Sequence, residues 1–102
     1  MADTPSTHSN AGELVRLIQD AASGAITPES FIRLLRETHE ALERAGRVRY
    51  ASKEQARLIW DVLWDLEYCS PDPSKEARPS DWHTVDHLMK TVKHTAEKLA
   101  KL

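Results

Sequence analysis

The residues with chemical potential in this chain gather in its second half. His83 and His87 stand four apart, a spacing that puts both imidazoles on one helix face and can bind zinc. Zinc also needs a third and usually a fourth protein ligand, and neighbouring Asp86 projects about 100° away from His87 on such a helix. The pair therefore reads first as two polar residues on a solvated helix start, with no metal and no cofactor expected. Cys69, the sole cysteine, falls at a helix end, where the negative dipole raises a thiol pKa and makes a poor nucleophile. No His-Glu-x-x-His, glycine-rich phosphate loop or Gly-x-Ser-x-Gly motif occurs. The expectation is a protein that is not an enzyme, with no catalytic residue and no small-molecule substrate.

A second constellation lies on the helix expected between Ser52 and about Tyr68. At about 100° per residue from Ile59, the apolar set Ile59, Val62, Leu63 and Leu66 spans about -60° to about +40°. Trp60, Trp64 and Tyr68 fall at about 100°, about 140° and about 180°, an aromatic ridge on one flank. Glu54, Asp61 and Asp65 fall at about 220°, about 200° and about 240°, an acidic stripe beside it. Asp61 and Asp65 are accordingly expected to face away from the core, where the fold tolerates charge reversal. Two placements stay open for Trp60 and Trp64: under a neighbouring helix or the Pro71–Pro79 loop, or on the surface. Acid beside large aromatics is the composition of a surface that binds a basic protein.

Helix punctuation supplies the scaffold for these residues. Asn10 with Glu13 three residues later has capping-box spacing, and Leu14, Leu17, Ile18, Ala21 and Ala22 follow on one face up to Gly24. Thr27-Pro28-Glu29 is a strong helix start, with Ile26 and Phe31 in staple positions. Phe31, Leu34, Leu35, Thr38, Leu42 and Ala45 form that helix's apolar stripe, closed by Gly46. Ser52 and Gln55 open a third helix. The prolines at 71, 73 and 79 then enforce a loop of about ten residues. The last helix starts at Ser80 or Thr84 and runs to the end, burying Val85, Leu88, Met89, Val92, Ala96 and Leu99. Short links make neighbours antiparallel, so the expected fold is an all-α, up-and-down four-helix bundle over residues 10–102. Residues 1–9 are expected to be a disordered tail.

Size and charge narrow the function classes. At 102 residues and 11.6 kDa the chain holds one domain. Its strongly apolar runs are short, as at Leu58-Ile59-Trp60, so no membrane span is expected. Met1-Ala2-Asp3-Thr4-Pro5 lacks the features of a signal peptide, and a single cysteine suits a reducing compartment. The expected location is the cytoplasm. The net charge of -2 hides an uneven distribution. Residues 54–74 set Glu54, Asp61, Asp65, Glu67 and Asp72 against Arg57 alone. A nucleic-acid binder concentrates base instead. Direct nucleic-acid binding is not expected; a basic protein partner is.

Two stretches carry a resemblance to a known family. Leu14, Leu17 and Ile18 lead into Gly24-Ala25-Ile26-Thr27-Pro28-Glu29-Ser30-Phe31, and the third helix ends in Asp65-Leu66-Glu67-Tyr68-Cys69-Ser70-Pro71-Asp72-Pro73. With a last helix bearing Leu88, Val92 and Leu99, the pattern over about residues 14–99 resembles the bacterial self-protective immunity proteins related to the colicin D immunity protein. Relatives of that family also serve contact-dependent growth-inhibition toxins. The two tryptophans of the third helix and the basic last helix depart from the family pattern. The resemblance implies a four-helix bundle that binds and neutralises a cognate toxin, often a transfer-RNA-cleaving nuclease, in a 1:1 complex. It carries Glu67, Tyr68 and Asp72 over as toxin-binding residues; the helical wheel adds Asp61, Trp64 and Asp65. The alternative is a helical adaptor or regulatory protein that binds some other basic partner.

Overall fold

The computed structural model describes residues 10–70 and 72–102. The expected tail at 1–9 lies outside the described residues. The chain forms the expected all-α four-helix bundle: α1 (Gly12–Ser23), α2 (Pro28–Arg44), α3 (Lys53–Glu67) and α4 (Val85–Ala100). Two short 3₁₀ turns, Pro73–Lys75 and Pro79–Asp81, punctuate the connection from α3 to α4. None of the helices is long and apolar enough to cross a membrane among the described residues.

Most helix ends follow the sequence. The Thr27 hydroxyl accepts the Ser30 N–H at 3.1 Å, with Pro28 at the first helical position. Ser52 accepts the Gln55 N–H at 3.0 Å, and Gln55 returns its side-chain oxygen to the Ala51 N–H at 2.8 Å. Of the two starts considered for α4, Thr84 is the cap, accepting the His87 N–H at 3.2 Å. Gly24 closes α1 at φ +83°, and the Ala25 N–H reaches back to the Asp20 carbonyl at 2.9 Å.

Asn10 departs from expectation. The cap position of α1 is Ala11, with no side-chain capping bond. Asn10 instead clamps the link between α2 and α3: its side chain donates to the Arg47 carbonyl at 3.1 Å and accepts the Arg49 N–H at 2.6 Å. Its own N–H donates to the Arg49 carbonyl at 2.9 Å. A short amide side chain that can complete a distant turn is better satisfied there than on its own helix.

Close backbone packing pairs α4 with both α1 and α3, and α1 with α2. The core therefore runs through Leu14, Ile18, Phe31, Leu35, Ile59, Val62, Leu88 and Val92, all fully buried. The stripe of α2 is only half used. Phe31 and Leu35 are buried, Leu34, Thr38 and Leu42 are partly exposed, and Ala45 is exposed. The reason is that α2 and α3 stand apart, which leaves a groove between them. They run antiparallel, since His39 meets Trp60 while Arg36, one turn earlier on α2, reaches Leu66 further along α3.

Leu88 projects from α4 into the core at no solvent exposure. Leu88→Ala is expected to cost about 2–5 kcal/mol through the cavity it leaves. Urea unfolding of the two proteins, followed by helical circular dichroism, measures that difference.

Candidate functional site

The aromatic ridge of α3 stands on the surface. Trp60, Trp64 and Tyr68 are 39%, 57% and 45% exposed, the large aromatics least covered by the fold. Of the two placements left open by the sequence, exposure on the groove edge is the one adopted. The rings form a ladder because positions four apart stack along a helix. Trp60 and Trp64 lie 6.2 Å apart between centroids, and Trp64 and Tyr68 lie 6.5 Å apart at 14°. His39 of α2 extends the ladder at one end, edge-on to Trp60 at 5.4 Å. Trp82 extends it at the other, 6.3 Å from Tyr68. Neither His39 nor Trp82 follows from helical spacing on α3, since each arrives from another element.

Beneath the ladder runs a groove of about 430 Å³ between α2 and α3. Arg36, Glu40, Glu67 and Leu63 contribute to its walls with the aromatics. The Arg36 guanidinium is committed to the Leu66 carbonyl at 3.4 Å, at the negative end of α3. Glu40 pairs loosely with Arg44 at 3.6 Å on the solvent side. Among the described residues His39 Nε2 is buried without a hydrogen-bond partner beside Trp60, and the Tyr50 hydroxyl is buried near the Trp60 indole. Burial pushes the Tyr50 phenol pKa up, the negative charge of Glu43 adds to this, and the Trp60 indole opposes it.

The residues expected to bind a partner divide into three groups. Trp64, Tyr68 and Glu67 converge on the groove, and exposed Asp61 shares their helix. Asp72 is exposed but serves its own loop, accepting from the Ser74 N–H and hydroxyl and lying 4.0 Å from the Lys75 ammonium. Asp65 is turned to the other flank of α3, against α4. Its side chain is only 21% exposed, and the Thr91 hydroxyl donates to Oδ2. The expectation that Asp65 joins Asp61 on a freely solvated stripe is thus corrected. Of the three carboxylates on the helical wheel, Asp65 lies furthest round from the aromatic ridge, a boundary position that α4 covers.

Asp65 is also where the histidine pair points. His83 Nε2 lies 3.7 Å from Oδ1 and His87 Nε2 lies 3.6 Å from Oδ2, with the two rings stacked at 4.3 Å. One ligand atom from each of the three residues falls within 4.8 Å of the others. The third donor absent from the local sequence comes from α3, across the α3–α4 interface. His83 is delivered there by a backbone clip: its N–H donates to the Tyr68 carbonyl at 2.7 Å, and its carbonyl accepts the Ser70 N–H at 2.9 Å.

Cys69 sits within the same clip, partly buried. Burial raises its thiol pKa, Arg36 opposes that shift and Asp65 adds to it.

No family model, curated protein or solved structure matches this chain.

The two aspartates of α3 should respond differently to charge reversal. Asp65→Lys removes the Thr91 hydrogen bond and sets a cation against two imidazoles, so it is expected to lower stability by about 1.5–3 kcal/mol. Asp61→Lys, on the exposed face, is expected to change stability by no more than about 0.5 kcal/mol. Parallel denaturant titrations separate the two. Because the Cys69 thiol is held above its ordinary pKa, its thiolate forms at higher pH in the native protein than in the unfolded chain. Alkylation by iodoacetamide in mildly alkaline buffer should therefore be slow in the native protein and accelerate on adding denaturant.

Proposed function

We propose that this protein is an immunity protein, which neutralises a cognate toxin, a transfer-RNA-cleaving nuclease, by covering its basic active site. The observation that carries the reading is the exposed ladder of Trp60, Trp64 and Tyr68 set beside Asp61 and Glu67. A ribonuclease site must attract phosphate, so it presents Lys, Arg and His. Carboxylates offered to such a site occupy phosphate positions and steer fast association. Aromatic side chains then supply the contacts that hold the complex once formed. Asp61 and Glu67 are the steering carboxylates, and Trp64 and Tyr68 are the anchors. Asp72, which the resemblance also carries over, has its carboxylate held in place by its own loop.

The resemblance to the colicin D-type immunity proteins supports the same reading, through Glu67, Tyr68 and Asp72. The complex has one copy of each chain and forms in the cytoplasm, where the toxin would act. No catalytic step belongs to this function.

The test is surface-based binding kinetics with the product of the neighbouring gene as the candidate toxin, at low and high salt. Trp64→Ala should raise the off-rate about 30-fold or more, the size of a hot-spot truncation of about 2 kcal/mol. Charge reversal of Asp61 and Glu67 to Lys should slow association and flatten its salt dependence. Both effects should occur with the helical spectrum intact. Tight binding that neither change disturbs would place the interface elsewhere. Absence of binding to that toxin, with capture of a different basic protein, would favour the adaptor reading.

A further inference from the structure

We propose that Asp65, His83 and His87 form a zinc-binding site that ties α3 to the start of α4. The separations carry the argument. At 3.7 and 3.6 Å the two Nε2 atoms are too far from the carboxylate oxygens to be hydrogen-bonded to them. Both nonetheless aim at the same carboxylate, each toward a different oxygen. Donors bound at about 2.0–2.1 Å to one tetrahedral zinc stand roughly 3.3–3.4 Å apart. The two measured distances run to different oxygens, and one donor atom from each residue lies within 4.8 Å of the others, so side-chain rotation has to close the triad onto a single ion.

Donor chemistry points the same way. Two imidazoles and one carboxylate suit a borderline divalent cation and are a poor set for calcium or magnesium, which take oxygen. The surroundings also have the makings of a supported site. Thr91, one turn along α4 from His87, donates to Asp65 Oδ2 and helps orient the carboxylate. His83 is fixed by its two backbone hydrogen bonds to the end of α3, and His87 by the capped first turn of α4. The side chains of His83 and His87 are 37% and 52% exposed, so the fourth coordination position opens to solvent and takes water.

The experiment uses the full chain, stripped of metal and titrated with zinc by calorimetry, with thermal unfolding followed in parallel. The expected result is one zinc per chain and a rise in Tm, because a ligand that binds only the folded state stabilises it. Asp65→Asn, His83→Ala and His87→Ala should each weaken binding about tenfold or more and abolish the Tm rise. His94→Ala, at an exposed position elsewhere on α4, should leave both unchanged, and calcium should raise no Tm. Cobalt substitution should give the intense visible absorption of tetrahedral Co(II). Asp65→Asn keeps the shape of the side chain, and His87 lies half in solvent, so His87→Ala reports even if the Asp65 variant unfolds. Failure of the wild type to take up stoichiometric zinc would overturn the site. So would zinc binding that survives Asp65→Asn unchanged, or a weak octahedral cobalt spectrum.

Discussion

Two backbone hydrogen bonds hold the end of α3 to the entry of α4. His83 donates to the Tyr68 carbonyl at 2.7 Å and accepts from Ser70 at 2.9 Å. Between those anchors the chain makes a proline-rich excursion that no helix can continue through. Without the clip, the end of α3 and the start of α4 would be joined only by that loop, and the closure entropy would fall on packing further along α4. With it, Trp82 is set against Tyr68 and His83 is turned toward Asp65. The clip also uses the Tyr68 carbonyl, one of the groups that the C-terminal end of a helix leaves without an intrahelical partner.

The cost of the arrangement is apolar surface left in water. Three large aromatics on one helix face normally go under a neighbour, and here α2 stands too far off to cover them. Stacking offsets part of that exposure, since each ring is covered on one side by the next. An edge-to-face or offset aromatic pair contributes about 0.5–1.5 kcal/mol beyond burial. The ladder of five rings from His39 to Trp82 has three such contacts, with the tilted Trp60–Trp64 pair between them. A rigid, partly wet aromatic ridge loses little side-chain freedom on binding, which suits an anchor better than a flexible chain of equal area.

The legible part of this fold is the part written locally. Thr27-Pro28, Ser52 with Gln55, Thr84 and Gly24 each act on the backbone within a turn of themselves, so their spacing is enough. Asn10 has the same local signature, but its amide finds better partners 37 and 39 residues away. The α2 stripe is legible as a pattern, yet its outer half stays partly exposed because the spacing between α2 and α3 is a tertiary quantity. The site shows the same division. The ridge of Trp60, Trp64 and Tyr68 is a one-helix property and can be read from one helix. Asp65, the third member of the histidine cluster, belongs to another helix on the far side of the proline loop, and no periodicity connects it to His83 and His87.

Asp65 and the ridge occupy different flanks of α3, one turned to α4 and the other to α2, yet they are not independent. Trp82 and His83 are consecutive, so one peptide unit joins the end of the aromatic ladder to the Asp65 cluster. The element shared by both flanks is the clip itself. A bundle this small has few ways to make a surface rigid. Fastening the exit of α3 to the entry of α4 stiffens the edge where its aromatic and acidic side chains are displayed.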